Sequence, residues 1–290
     1  MYAAIAAHVG VYTVALMCRA LGVAPSGYYA WRQRPVPNRT GRDEALTTHV
    51  RAAFTASRRR YGSPRVHAEL RAAGHRVGRK RVARLMRQAG LHARPRRRFV
   101  TTTQSRHPHP VAPNLIKRKF EVTAPNQVWV SDLTYLRTVT GFVYLAVVLD
   151  LYSRRVVGWK VSRDLDADVA VEALRRGLAV RPAPAGLIHH SDRGVHYACG
   201  DYQAALKTAG VRCSMSRKGD CWDNAVAESF FSTVFFELER DARWHDVHDV
   251  ERDLVEYIDG FYNPKRRHSH NRYQSPVDFE RRFLQQGTAA

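Results

Sequence analysis

The sequence lacks paired cysteines, long apolar runs and, over its first 120 residues, acidic side chains. Its four cysteines are scattered with no C-x-x-C pair, which excludes a disulfide framework and predicts a reducing compartment. No run of about 18 consecutive apolar residues occurs, so no transmembrane helix is predicted. The first basic side chain, Arg19, follows an apolar stretch instead of preceding it, which argues against a signal peptide. These absences together predict a cytoplasmic protein that is not bound to a membrane.

The shortage of acidic residues is confined to one part of the chain. Residues 1–120 contain 25 Lys and Arg but only 3 Asp and Glu, whereas residues 121–290 contain 22 and 23. The whole net charge of +21 is therefore accounted for by the first part. A basic block in front of a near-neutral one predicts a module that binds a polyanion, joined to a second module of another kind.

The basic part reads as helical. Residues 1–40 predict an N-terminal helical segment, and residues 41–100 predict three further helices with a turn between the last two. Ser63 and Pro64 predict a helix start, with Ser63 as the N-cap and Pro64 in the first helical position. This arrangement resembles a helix-turn-helix, a DNA-binding motif.

The charge pattern of this region favours nucleic acid over a merely solvated helix face. Residues 58–98 contain 15 Lys and Arg and one acid, Glu69, whereas a surface that only contacts water mixes both signs. We therefore predict that basic side chains here contact nucleic acid. The candidates are Arg58, Arg59, Arg60, Arg65, Arg79, Lys80, Arg81 and Arg84.

A polar linker, residues 101–124, separates the basic part from an α/β part. His107 and His109 lie in this linker without a cysteine pair at zinc spacing, so a polar linker is favoured over a metal site. Residues 125–262 then predict the order βββαβαβα, which implies a mixed sheet flanked by helices. Residues 263–290 are interpreted as a C-terminal tail.

Three acids stand out against this skeleton. Asp132 interrupts an apolar strand, Asp192 follows the fourth strand, and Glu228 lies near the start of a long helix. A carboxylate inside a strand must be exposed or stabilised by a cation or hydrogen bonds. Three converging carboxylates suit Mg²⁺ or Mn²⁺. Taken singly, however, each acid is explained equally well by a structural role, as a turn residue, a helix cap or a solvated helix position.

Several segments resemble those of a known protein family, and this resemblance favours the metal site over separate structural roles for the three acids. The segments, in chain order, are YGSPR at 61–65, WVSDLTY at 129–135, HHSDRG at 189–194, SMSRKG at 214–219, DNAVAESFF at 223–231, YN at 262–263, RRHS at 266–269 and SP at 275–276. Thirty-five residues separate Asp192 from Glu228. In these features the chain resembles the Asp-Asp-Glu transposases of bacterial insertion sequences, of the downstream-frame (OrfB) type with a helix-turn-helix.

The resemblance implies a ribonuclease H-like, integrase-type catalytic core and a metal-dependent enzyme that cleaves and transfers DNA strands. It implies that Asp132, Asp192 and Glu228 are both the catalytic residues and the ligands of Mg²⁺ or Mn²⁺, with two ions bound. It also implies partners: the DNA of the element ends and target, an upstream-frame helix-turn-helix protein, and further copies of the chain on DNA.

One position departs from the family pattern. Seven residues after the glutamate the family usually has Lys or Arg, whereas this chain has Phe235. Arg217 and Lys218 are the candidates for covering the DNA phosphates instead. Two alternatives stay open: a related two-metal nuclease, and a DNA-binding regulator whose core no longer catalyses.

Overall fold

The chain folds into two compact units, residues 1–92 and 93–290. The structure, a computed structural model, describes residues 1–34, 38–93, 110–117, 121–217, 224–238 and 243–288. The helices of the first unit are α1 (Tyr2–Ala7), α2 (Val14–Ala20), α3 (Pro25–Gln33), α4 (Asn38–Ala56), α5 (Ser63–Ala72) and α6 (Arg79–Gln88). Among the described residues, no helix is long and apolar enough to cross a membrane.

The first unit buries apolar side chains both among its first three helices and in its last one. Helices α1 to α3 enclose Ile5, Cys18 and Tyr28. In α6, Val82, Leu85 and Met86 are buried, as their 3- and 4-residue spacing predicts. The start of α5 differs from its prediction: Gly62 is the N-cap and Ser63 is already helical, so no side chain caps this helix.

The second unit is built on a five-stranded sheet with the order β3-β2-β1-β4-β5. Its strands are β1 (Val128–Thr138), β2 (Gly141–Asp150), β3 (Val156–Ser162), β4 (Ile188–Ser191) and β5 (Arg212–Met215). Strands β1, β2 and β3 pair antiparallel, whereas β4 pairs parallel with both β1 and β5. The sheet is therefore mixed, as the strand and helix order predicts.

Helices cover both faces of this sheet. They are α7 (Ala167–Val180), α8 (Val195–Ala198), α9 (Gly200–Thr208), α10 (Ala225–Glu237), α11 (Val247–Leu254) and α12 (Pro276–Thr288), and α11 continues as a π-helical segment (Val255–Tyr262). One apolar core joins the sheet to α10, α11 and the π-helical segment. The other joins it to α7, α8 and α9. Because side chains alternate along a strand, neighbouring residues of β1 point into different cores.

The segment after the π-helix is integrated into the second unit. Asn263 hydrogen-bonds both the amide and the carbonyl of Val156, at 3.0 Å each. Glu280 of α12 accepts hydrogen bonds from Ser153 and Arg155 beside the β2–β3 turn. Residues 263–280 thus contribute buried polar contacts to the sheet.

Candidate active site

The fold brings the three predicted acids to one end of the sheet. Asp132 lies in β1, Asp192 directly follows β4, and Glu228 lies in the first turn of α10. In the parallel pairing of β1 with β4, Val128 lies beside Ile188 and Val130 beside His190. Continuing this register by two residues places Asp192 beside Asp132. Asp132 shares the face of β1 on which Val128 and Val130 lie, and α10 covers that face.

The three carboxyl groups influence one another electrostatically. Asp132 is 8% exposed, and this burial raises its pKa well above the ordinary range, with further increases from Asp192 and Glu228. Burial also raises the pKa of Glu228, and Asp192 raises it further. Like charges this close make the ionised forms costly. A cation bound among the carboxylates would offset this cost.

Backbone amides orient two of the acids. The amide of Leu133 donates to Asp132 Oδ1 at 2.9 Å, and the amide of Gly194 donates to Asp192 Oδ1 at 2.8 Å. A Cβ atom at position 194 would lie 3.0 Å from that oxygen, so the close turn after β4 suits glycine.

The donor set and its surroundings fit a hard divalent cation. Carboxylate oxygens are the ligands that Mg²⁺ and Mn²⁺ prefer. The Tyr197 hydroxyl is buried without a hydrogen-bond partner among the described residues, and the charges of Asp132 and Asp192 both act on it. Among the described residues, no three His, Cys, Asp or Glu side chains are grouped so that they could hold a metal ion.

Two histidines of β4 are part of the interior and not of the acid cluster. His189 and His190 are fully buried. His190 Nδ1 lies 2.8 Å from Ser214 Oγ, and His189 Nε2 lies 2.6 Å from Ser131 Oγ. Burial lowers the pKa of His189 to about 3, so its imidazole is neutral at physiological pH.

The predicted DNA contacts differ in their availability. Arg58, Arg59, Arg79, Lys80 and Arg217 are exposed. Arg60 is only 8% exposed. Arg65 is half-buried, with its guanidinium 5.6 Å from the centre of the Tyr61 ring. Lys218 lies outside the described residues.

A single carboxylate binds the last two of the predicted DNA contacts, Arg81 and Arg84 of α6. Asp43 of α4 lies 2.7 Å from Arg81 and 2.6 Å from Arg84. Both arginines lower the pKa of Asp43, the Arg84 hydrogen bond most of all. Arg81 and Arg84 therefore link α6 to α4, whereas Arg79 and Lys80 are exposed at the start of the helix.

Phe235 occupies the position where the resemblance leads one to expect a cation. It lies on α10 seven residues after Glu228, and its ring packs against the core that α10 shares with the sheet. The side chain is half-buried. The departure from the family pattern therefore exchanges a basic group for additional apolar contact.

Sequence reasoning missed Asn224 and Tyr197. Asn224 is 5% exposed and donates through Nδ2 to the carbonyl of Ser131 at 3.1 Å. An asparagine before a helix predicts an N-cap, and nothing local in the sequence indicates that its amide reaches a distant strand. Tyr197 follows Asp192 by five residues, and a buried tyrosine ordinarily predicts core packing.

Family models match most of the chain. An HTH-like domain matches residues 41–99, and integrase core domain models match residues 122–221 and 209–276. Among solved structures, a simian T-cell lymphotropic virus intasome matches with 14% identity and a TM-score of 0.45, over 79% of this chain and 73% of that one. The BIV integrase catalytic core matches with 15% identity and a TM-score of 0.41, over 56% and 99%.

Curated relatives match almost end to end. Transposase InsF for insertion sequence IS3A from Escherichia coli is 42% identical over 98% of this chain and 99% of its own length. The insertion element IS600 uncharacterized 31 kDa protein from Shigella sonnei is 41% identical over 93% and 99%. The helix-turn-helix-like region and the integrase core define an integrase-type recombination protein. More narrowly, the chain belongs to the family of insertion-sequence transposases that includes InsF of IS3.

Proposed function

We propose that this chain cleaves and transfers DNA strands at the ends of an insertion sequence, with Asp132, Asp192 and Glu228 as the ligands of two divalent cations. The observation that carries the proposal is the electrostatic interaction of three sequence-distant carboxyl groups: besides burial, Asp192 and Glu228 raise the pKa of Asp132, and Asp192 raises that of Glu228. Family membership supplies the reaction class, and the carboxylate chemistry supplies the choice of Mg²⁺ or Mn²⁺.

The residues of the site have separable roles in this proposal. Two divalent cations held by these three carboxylates would supply activation of an attacking oxygen and stabilisation of the leaving one. Asp132 and Asp192, fixed by their backbone amide donors, hold the sheet side of the site, and Glu228 closes it from α10. The buried Tyr197 hydroxyl is available to donate a hydrogen bond to oxygen atoms held between the acids.

The first unit is proposed to hold the DNA. Its basic surface is complementary to phosphate, and family membership adds a helix-turn-helix-like region over the same residues. Because two element ends must be brought together, we also propose that the chain acts as a homo-oligomer on DNA. An upstream-frame helix-turn-helix protein is proposed as a further partner in recognising the ends.

Arg79 and Lys80 are expected to contribute more to DNA affinity than Arg81 and Arg84. Replacing the exposed pair by alanine should reduce the slope of log affinity against log salt concentration by roughly 1 per lost phosphate contact. The Arg81→Ala, Arg84→Ala double variant should mainly lower thermal stability, because it breaks the contacts of Asp43. Equal salt slopes for the two double variants would refute this assignment.

Phe235 favours a second candidate, a DNA-binding regulator with reduced catalysis. Under our proposal, Phe235→Lys should restore a phosphate contact and raise strand-transfer efficiency at limiting DNA by roughly tenfold, about 1.4 kcal/mol. Phe235→Leu, which keeps an apolar side chain, is the matched control. If Phe235→Lys has no more activity than Phe235→Leu, the face of α10 around position 235 does not meet DNA.

The proposed function is tested by joining the element's own DNA end to a target, with Mg²⁺ and with EDTA. We expect joined product only with Mg²⁺, and loss of product but not of DNA binding in Glu228→Gln. Metal-dependent hydrolysis without joining indicates the nuclease alternative. Binding that is unaffected by Mg²⁺, with no product, indicates the regulator.

A further inference from the structure

Ser131 is a junction between the elements that carry the three acids. It precedes Asp132 in β1 and lies one residue beyond Val130, the last β1 residue in the described pairing with β4. Its carbonyl accepts a hydrogen bond from Asn224 at 3.1 Å. Its hydroxyl lies 2.6 Å from His189 Nε2. One buried residue thus contacts the start of α10 and the strand that leads to Asp192.

Asn224 gives up a local hydrogen bond to make this contact. It occupies the N-cap of α10, but its side chain makes no capping hydrogen bond. An N-cap asparagine ordinarily stabilises its own helix by accepting a hydrogen bond from a backbone amide of the first turn. Here the amide reaches β1 instead, and its Oδ1 has no partner among the described residues. Since Glu228 follows Asn224 by four residues, about one helical turn, this bond fixes the glutamate relative to β1.

The contact with His189 fixes the second acid in the same way. His189 lies three residues before Asp192, and its Nε2 also lies 2.9 Å from the Tyr202 hydroxyl of α9. The imidazole is neutral, so the cluster adds no charge beside the acids. His189 Nδ1 is buried without a hydrogen-bond partner among the described residues, whereas the two contacts of Nε2 link the strand end to β1 and α9.

We propose that Asn224 and Ser131 are positioning residues for the acid triad: they tie the elements that carry Glu228 and Asp192 to the strand that carries Asp132. The inference rests on the proposed ligand set and adds the residues that hold the ligand-bearing elements in place. Partners of this kind typically contribute 10- to 100-fold to metal affinity.

The chain offers a matched control for Asn224. Asn271 is fully buried and donates through Nδ2 to the carbonyl of Ser153 at 2.6 Å. Its Oδ1, like that of Asn224, has no partner among the described residues. Because Asn271 contacts the β2–β3 turn and not the strand ends that carry the acids, Asn271→Ala removes a similar bond at a different place.

The test is titration of the full-length protein with Mn²⁺ alone, monitored by electron paramagnetic resonance, beside thermal unfolding without metal. The variants are Asn224→Ala, Ser131→Ala, Asn271→Ala and Glu228→Gln. We expect the first two and Glu228→Gln to bind Mn²⁺ roughly 10- to 100-fold more weakly than wild type. Asn271→Ala should bind Mn²⁺ as tightly as wild type, even if its melting temperature falls as far as those of Asn224→Ala and Ser131→Ala. Ser131→Ala removes one oxygen atom and serves if Asn224→Ala does not fold.

The outcomes separate the inference from the function on which it rests. If Glu228→Gln weakens Mn²⁺ binding but Asn224→Ala and Ser131→Ala bind as tightly as Asn271→Ala, the positioning role is overturned and the ligand set stands. If Glu228→Gln binds Mn²⁺ as wild type does, the ligand set fails, and the positioning role fails with it.

Discussion

Asp132→Asn is expected to reduce DNA strand cleavage by roughly 1000-fold or more, about 4 kcal/mol of transition-state stabilisation, because the proposed site would lose one of its three metal-binding carboxylates. Binding of the DNA end should be unchanged. The same substitution should leave thermal stability in the absence of metal equal to wild type or higher. Asp132 is buried beside two like charges, so neutralising it removes repulsion at almost constant shape. Single-turnover cleavage in Mg²⁺ and thermal unfolding in EDTA measure the two effects.

Asp150→Asn is the control for this prediction. Asp150 ends β2, is fully buried and accepts hydrogen bonds from the amides of Asn126, Tyr152 and Ser153. Its carboxylate is engaged in the fold, so the variant should lose stability and retain cleavage per folded molecule. A cleavage rate for Asp132→Asn within tenfold of that of Asp150→Asn would contradict the role assigned to Asp132.

Arg266→Ala is expected to cause the largest loss of stability, about 3–5 kcal/mol, because it leaves Glu237 buried without its cation. The two side chains are 3% and 1% exposed and are joined by a contact of 2.6 Å. The Tyr257 hydroxyl donates to the same carboxylate at 2.9 Å. Burial alone would lower the pKa of Arg266, but the charge and hydrogen bonds of Glu237 outweigh it and raise the pKa. The expected fall in melting temperature is roughly 10 °C.

Arg281→Ala provides the comparison. Arg281 forms an ion pair of 2.9 Å with Asp278 on α12, but its side chain is 63% exposed. Exposed pairs of this kind contribute no more than about 1 kcal/mol. Thermal unfolding of both variants should therefore separate them by several degrees. Equal melting temperatures would mean that the Arg266–Glu237 contact does not hold α10 to the segment after the π-helix.

Local patterns predicted much of this fold because they agree with the tertiary structure. The strand-forming residues of β1 and the apolar run of β2 predict strands that the structure contains, and the 3- and 4-residue spacing in α6 predicts its buried face. The fold class and the family are likewise confirmed. The assignment of Asp132, Asp192 and Glu228 as metal ligands stays a prediction, although the fold brings the three groups within electrostatic range.

What local patterns could not predict are contacts between residues far apart in the chain. Residues 263–290 are interpreted from the sequence as a C-terminal tail, yet Arg266 is buried against Glu237, which lies 29 positions earlier. Arg81 and Arg84 read as DNA contacts, yet Asp43 binds both. A charge pattern in the sequence shows which residue types a surface contains. Only the packing of the helices decides which of those charged side chains pair with other residues of the same chain.

The central claim is that three carboxylates share divalent cations, and anomalous X-ray scattering from crystals soaked in Mn²⁺ tests it most directly. We predict anomalous density among Asp132, Asp192 and Glu228, with carboxylate oxygens of all three within about 2.2 Å of Mn²⁺. Density at another position, or none in crystals of protein that cleaves DNA in Mn²⁺, would contradict the account.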